Sequence, residues 1–258
     1  MRTALGIGLA AVVWLGMPDS ASAFVLHTTA AGVPLHWGVD TISMVADASF
    51  ADLDPGARAA ARGAFAAWEG VSGAQRPQID VVDGPADEVG YRVGEHNQST
   101  IRYAPGGFAL AGETLAITVL TFDATGTILD ADIVVNGRPG RAFGVLEDEE
   151  EETSDVFDLQ NVLAHEAGHL LGLAHNNADP ALTMYYEIQP GETSKRHLHP
   201  DDEQGLRALY PETAEPIATV PSCAASGPQG SAPSWATALL GLAVAGAARV
   251  RRRAVAAR

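Results

Sequence analysis

Three histidines and one glutamate stand at a spacing that could hold a catalytic metal ion. His165 and His169 are four residues apart, so on a helix of 3.6 residues per turn they project from the same face. Glu166 lies about 100° around that helix from His165, where its carboxylate could reach a bound water without binding the metal. Gly172 can take the positive φ that ends a helix, and the resulting turn would bring in His175. Three neutral imidazole nitrogens would leave the fourth tetrahedral position to water, which is typical of a catalytic zinc site.

The alternative for this stretch is a helix whose histidines simply lie near the core. A bare H-E-x-x-H pattern leaves that alternative open. The chain has eight histidines, and a chance match at all five positions, 165, 166, 169, 172 and 175, is rare. The full pattern is the H-E-x-x-H-x-x-G-x-x-H signature, so the sequence resembles the metzincin clan of zinc endopeptidases. The resemblance implies a methionine turn beneath the zinc, for which Met184 is the candidate.

The elements that must position these residues follow from local patterns. β-branched and aromatic runs between turn formers predict strands, and an Ala-rich segment with apolar residues three or four apart predicts a helix. The predicted strands cover residues 34–45, 78–82, 100–103, 115–122 and 128–135, and the first helix covers residues 57–68. Strands, a helix, further strands and then the histidine helix indicate an α/β or α+β domain.

Several segments resemble the matrixin branch of the metzincins. They are the Trp37 strand, the helix ending at Trp68, and residues 131–135, 158–163 and 200–211. The resemblance implies an α/β zincin fold. In that fold a twisted, mostly parallel five-stranded sheet packs on an N-terminal helix and the zinc helix, and a Met-turn and a C-terminal helix follow. It also implies that one strand forms the sheet edge where an extended peptide substrate pairs antiparallel, namely the strand of Ala131, Asp132, Ile133, Val134 and Val135.

The sequence departs from animal matrix metalloproteinases in two ways. No stretch resembles the cysteine-containing propeptide of animal matrix metalloproteinases, and none after residue 211 resembles their hemopexin repeats. Small bacterial matrixin-like peptidases are the closer comparison.

Tyr186 stands two residues after Met184, an offset at which astacins and serralysins carry a tyrosine that stabilises the oxyanion. Tyr186 is therefore a candidate catalytic residue, and packing under the methionine turn is its alternative.

The two ends of the chain differ in composition from the body. Residues 1–23 carry Arg2, an apolar run and Ala21-Ser22-Ala23, which predict a signal peptide and export. We expect residues 24–211 to form one catalytic domain, and the Pro-, Ser-, Ala- and Gly-rich residues 212–234 to form a linker. Residues 235–258 combine an apolar run with an arginine cluster. With Cys223, the single cysteine, they resemble the MYXO-CTERM type of bacterial surface-sorting tail, and a permanent membrane anchor is the alternative.

The charge of the body limits its partners. Between residues 24 and 233 there are ten Lys and Arg against thirty-one Asp and Glu, so this surface would repel nucleic acid and anionic membrane. We expect a monomer that acts on peptide or protein substrates and meets a membrane only through its tail. The acidic residues 147–152 could bind calcium at sites that the sequence does not define, although such a run is usually a solvated loop.

Two functions are compatible with these patterns. The first is an exported or surface-displayed zinc endopeptidase, with the metal on His165, His169 and His175 and with Glu166 as general base. The second is an inactive binding or adhesion module that zinc stabilises. We expect the other five histidines to be exposed rather than structural metal ligands. They are His27, His36, His96, His197 and His199.

Overall fold

The computed structural model describes residues 24–147 and 154–212, and the backbone of residues 241–246. The predicted signal peptide, residues 148–152 of the acidic run, and Cys223 with the linker lie outside these ranges. Most of the predicted sorting tail does too. In chain order the elements are β1 (His36–Trp37), β2 (Thr41–Ala46), α1 (Ala48–Ala51), α2 (Ala57–Glu69), β3 (Gln78–Asp83), β4 (Ser99–Ala104), β5 (Ala116–Phe122), β6 (Thr127–Asn136), β7 (Ala142–Gly144), β8 (Val156–Asp158), α3 (Leu159–Leu170), α4 (Pro200–Leu209) and β9 (Gly241–Gly246).

One mixed sheet organises the domain. Its strands lie in the order β3-β2-β4-β6-β5-β9, and the short strand β1 pairs with β6. The pairs among β1, β2, β3, β4 and β6 are parallel, whereas β5 pairs antiparallel with both β6 and β9. Strands β7 and β8 form a separate parallel pair that leads directly into α3.

The predicted strands and helices are present with small differences at their ends. The predicted first strand, residues 34–45, is divided into β1 and β2 by a bend after Trp37. The predicted turn before Thr127 connects β5 to β6, and the Asp123 side chain accepts the N–H groups of Thr125 and Thr127 there. The mixed α/β class is confirmed. The described sheet has seven strands rather than the five expected, because β1 and β9 add to it.

The prediction of the substrate-binding edge strand was wrong. Ala131, Asp132, Ile133, Val134 and Val135 lie in β6, which is paired on one side with β4 and on the other with β5. All five are fully buried. Their backbone therefore has no free edge to offer a peptide. Strand β5 is the outer one beyond β6, and in this structure β9 covers it.

Helix α3 is held to α2 and to β1 by apolar packing and by indole hydrogen bonds. Trp68, predicted to be a core residue, is fully buried, and its Nε1 donates a 2.8 Å hydrogen bond to the carbonyl oxygen of Ala164. Trp37 Nε1 donates to the carbonyl oxygen of Leu170 at 2.8 Å, and the Tyr210 hydroxyl donates to that of Leu171 at 2.9 Å. The last carbonyls of α3 thus have partners although the helix end is buried.

Within the part of the chain that the structure describes, no helix has both the length and the apolar character of a membrane-spanning segment.

Candidate metal centre

Helix α3 carries the first two candidate ligands, and its start is fixed by a buried ion pair. The Asp158 carboxylate accepts the N–H of Asn161 at 2.8 Å and so caps the helix. Arg196 donates to both oxygens of the same carboxylate at 2.7 Å. Asp158 is fully buried and Arg196 nearly so. This bidentate geometry fixes the first turn of α3 relative to the chain that follows the metal site.

The turn after α3 requires a glycine. Gly172 has a φ of 106°, a conformation that side chains with a Cβ rarely adopt. A Cβ at Gly172 would also overlap the carbonyl oxygen of Leu35. The N–H of Leu173 donates to the carbonyl of Gly168 at 2.9 Å, which closes the turn. The glycine turn predicted from the sequence therefore directs the chain towards His175.

The structure brings the three predicted ligands together. Nε2 of His175 lies 3.1 Å from Nε2 of His165 and 3.1 Å from Nε2 of His169. Among the described residues, these three form the only group of three or more His, Cys, Asp or Glu whose ligand atoms could hold one metal ion.

Hydrogen bonds on the other ring nitrogens fix two of the tautomers. Nδ1 of His165 lies 2.7 Å from the carbonyl oxygen of Thr183, and Nδ1 of His169 lies 2.8 Å from that of Leu173. A carbonyl oxygen only accepts, so each Nδ1 must carry the proton. The Nε2 atoms of both neutral rings therefore present lone pairs towards His175. That arrangement is typical of histidine ligands held by a second layer of hydrogen bonds.

The histidine pKa values favour the neutral form that a metal requires. Burial lowers the pKa of His165 to about 3 and the pKa of His169 well below its ordinary value, and neighbouring imidazoles lower both further. Burial also lowers the pKa of His175. His175 can donate one proton to one neighbour at most, so hydrogen bonding cannot satisfy both lone pairs. Three neutral nitrogen donors converging in this way fit zinc.

Glu166 is fully buried on α3, immediately after the first candidate ligand. Its Oε2 accepts a 2.6 Å hydrogen bond from Oγ1 of Thr118, which lies on β5. Sequence patterns did not single out Thr118. It is a polar residue in a strand whose seven residues are all buried, but that signal does not reveal which helix residue it faces.

Met184 lies beneath the histidine helix. It is buried, and a Cβ at Gly168 would overlap its Sδ. Gly168 immediately precedes His169, so the close approach of the thioether depends on the missing side chain. The N–H groups of Thr183 and Met184 donate to the carboxylate of Asp202 on α4, at 2.8 and 3.1 Å. Asp202 is a second contributor to the site that the sequence patterns missed.

The tyrosines after Met184 and the other five histidines complete the set of predicted site residues. The rings of Tyr185 and Tyr186 lie against each other with a centroid distance of 4.8 Å, and the catalytic role of Tyr186 stays a prediction. His96 and His197 are exposed as expected, and His36 and His199 are half-buried. His27 is half-buried as well. Its ring centroid lies 5.4 Å from that of His169, and burial lowers its pKa to about 4.

A mixed α/β domain with a histidine-bearing H-E-x-x-H helix against its sheet defines the zincin class. Residues 53–211 match the family model Peptidase_M10, described as Matrixin, and the chain belongs to the matrixin family.

Individual matrix metalloproteinases and related metalloendoproteinases show the same similarity. The chain is 29% identical over 154 residues to Metalloendoproteinase 1-MMP of Arabidopsis thaliana, a match of 58% of this chain and 36% of that protein. It is 45% identical over 65 residues to Neutrophil collagenase of Homo sapiens, which covers 25% of this chain and 14% of that protein. It is 39% identical over 93 residues to Matrix metalloproteinase-19 of Homo sapiens, a match of 35% of this chain and 17% of that protein. The matches thus span about a third or less of each of these relatives.

Proposed function

We propose that this chain is an exported zinc endopeptidase that hydrolyses peptide bonds of extended protein substrates. The observation that carries the proposal is the meeting of three imidazole nitrogens in a matrixin, with Nε2 of His175 3.1 Å from Nε2 of both His165 and His169. His165, His169 and His175 would hold the metal. Zinc bound there would supply Lewis acidity, which activates water and stabilises negative charge on the carbonyl oxygen of the substrate.

Glu166 would act as the general base and then the general acid. Its carboxylate takes a proton from the attacking water and passes it to the leaving nitrogen of the cleaved peptide bond. The surroundings support this role because the carboxylate lies on the same helix as two of the proposed ligands and is shielded from solvent. Met184 would support the histidines from below, since it packs against Gly168 between His165 and His169.

Tyr186 would donate a hydrogen bond to the developing oxyanion. A phenol offers one donor, and the loss of one oxyanion donor costs about 3 kcal/mol in other hydrolases. We expect Tyr186→Phe to lower kcat and kcat/KM together by about tenfold or more, with the zinc content unchanged. Tyr185→Phe is the matched control. A wild-type kcat in Tyr186→Phe would leave Tyr186 as a packing residue.

Zinc content and peptide hydrolysis test the function together. The purified protein should hold about one zinc per chain and should cleave denatured casein or a quenched peptide library in a chelator-sensitive way. Glu166→Ala should keep the metal and lose hydrolysis by orders of magnitude. His169→Ala should lose the metal, whereas the exposed His96→Ala should keep it. Zinc binding without any cleavage would instead identify the inert binding module.

Export and surface retention form the cellular part of the proposal. The signal peptide of residues 1–23 would direct export, and the tail with Cys223 would sort the protein to the cell surface. The acidic body would act as a monomer without nucleic acid, and calcium remains a candidate ligand of the acidic run. Fractionation of cells that express a chain tagged within residues 24–211 tests the localisation. Fully soluble protein that still carries Arg253 would contradict it.

A further inference from the structure

The hydrogen bond between Thr118 and Glu166 joins the sheet to the proposed general base. Thr118 is fully buried in β5, where its backbone is paired opposite Ile133 of β6. Its Oγ1 lies 2.6 Å from Glu166 Oε2 and 3.2 Å from the carbonyl oxygen of the same residue. A hydroxyl carries a single proton, and the shorter distance is the one typical of an O–H donor to a carboxylate. The proton of Thr118 therefore goes to the side chain of Glu166.

This contact does more than satisfy a buried hydroxyl. The carbonyl of Glu166 alone would be an adequate acceptor for a threonine that had only to be paired. The terminal torsion of a glutamate side chain is broad, so a carboxylate on a helix can rotate unless something holds it. Thr118 holds one oxygen from a strand that is hydrogen-bonded on both sides. The orientation of the carboxylate is thereby set by the sheet and not by the helix alone.

We propose that Thr118 is a positioning residue that sets the orientation of the Glu166 carboxylate for proton transfer. The proposal rests on the proposed peptidase function. Proton transfer requires heavy atoms about 2.6–3.2 Å apart, and small misplacements of a catalytic group can reduce rates strongly. In this role the Thr118 hydroxyl contacts Glu166 and not the reacting atoms, so it acts through Glu166. Its removal should affect the rate of the chemical step and leave substrate binding intact.

Three substitutions at Thr118 and one control separate positioning from packing. Thr118→Val keeps the shape and removes the hydroxyl, Thr118→Ala removes both, and Thr118→Ser keeps the hydroxyl. Thr121→Val is the matched control, since Thr121 is the other buried threonine of β5. In the full-length protein we expect Thr118→Val to lower kcat about tenfold with KM and zinc content unchanged. Thr118→Ser and Thr121→Val should stay within about threefold of wild type.

A spectroscopic measurement gives a readout that does not depend on activity. The ¹³C resonance of the Glu166 side-chain carboxyl can be assigned by its loss in Glu166→Gln. It should shift in Thr118→Val and Thr118→Ala but not in Thr121→Val, because it is the Thr118 hydroxyl that donates to the Oε2 atom of that carboxylate. If Thr118→Val does not fold, Thr118→Ala provides both measurements.

The possible failures are distinguishable. No cleavage by the wild-type protein would refute the peptidase function, and the carboxyl resonance would still report on the contact. An active wild type with a Thr118→Val variant of unchanged kcat and unchanged resonance would overturn the proposal. Equal losses in Thr118→Ser and Thr118→Val would overturn it too, because a packing role does not depend on the hydroxyl.

Discussion

Nδ1 of His165 donates a 2.7 Å hydrogen bond to the carbonyl oxygen of Thr183. The N–H of Thr183 in turn donates to Asp202 at 2.8 Å, and the same carboxylate accepts the N–H of His199 at 3.1 Å. One buried carboxylate on α4 therefore holds the turn that orients a proposed zinc ligand. Residues that hold ligands in this way influence metal affinity although they never touch the metal.

Replacing Asp202 by Asn should weaken zinc binding. An amide group has only one accepting oxygen. Its NH₂ would face a backbone N–H that, in the wild type, donates to a carboxylate oxygen. We expect Asp202→Asn to lower zinc affinity about tenfold or more, as measured by competition with a chromogenic chelator. Glu203→Gln is the control, since Glu203 is next on the same helix and pairs with Arg207. Equal affinities in the two variants would show that the turn does not orient His165.

Gly172→Ala should destabilise the protein and lower its zinc content. A positive φ costs a residue with a Cβ about 1–2 kcal/mol, and the overlap with the Leu35 carbonyl adds to that cost. Gly90→Ala measures the cost of the positive φ alone, because Gly90 has a φ of 100° and nothing lies within 4 Å of the added Cβ. We expect the loss in unfolding free energy to be larger for Gly172→Ala when both are measured by denaturant titration. Equal losses would mean that the turn adjusts to the methyl group.

The buried acid pair of β6 should make stability depend on pH. Burial and the neighbouring Asp132 raise the pKa of Asp130 to about 7. An unfolded aspartate titrates near pH 4, so between about pH 4 and 7 the folded state keeps a proton that the unfolded state has lost. This stabilising contribution is complete below pH 4 and is lost as the pH rises through 7.

Asp130→Asn tests that dependence. The variant should be more stable than wild type at pH 8 by about 1–3 kcal/mol, and the difference should vanish near pH 4. Unfolding free energies across this pH range give the measurement. The exposed Asp80→Asn on β3 is the control and should show no such trend. A constant difference between Asp130→Asn and wild type would argue against a buried, protonated Asp130.

The pairing of β9 with β5 should limit access of a substrate strand. Six residue pairs join these strands, from Ile117 with Gly246 to Phe122 with Gly241, and the pairing includes Thr118 beside the proposed base. An extended peptide that reached Glu166 along β5 would have to replace β9. Val244→Pro removes a backbone N–H from β9 and should lower KM severalfold in the full-length protein. The same change at Ala236, outside β9, is the control, and an unchanged KM would show that β9 does not compete with substrate.

The local structure of this protein was predictable because its signals lie within short windows. The apolar spacing over residues 57–68 and the alternation over 128–135 predict α2 and β6 almost to the residue. The candidate metal centre was predictable for the same reason. His165, Glu166 and His169 lie within two turns of one helix, and Gly172 makes the only sharp turn needed to add His175. Helix geometry and one backbone conformation therefore determine which side chains can meet.

Only the tertiary structure decided which strand is outermost and which side chains support the centre. The apolar pattern of residues 131–135 fits a strand at the edge of a sheet as well as one inside it. Only the pairing with β4 and β5 shows that this strand lies inside the sheet. Thr118 and Glu166 are 48 residues apart, and His27 reaches His169 from the opposite end of the domain. Such contacts depend on how the sheet and the helices pack. Packing is a property of the whole chain, so no local window of sequence contains it.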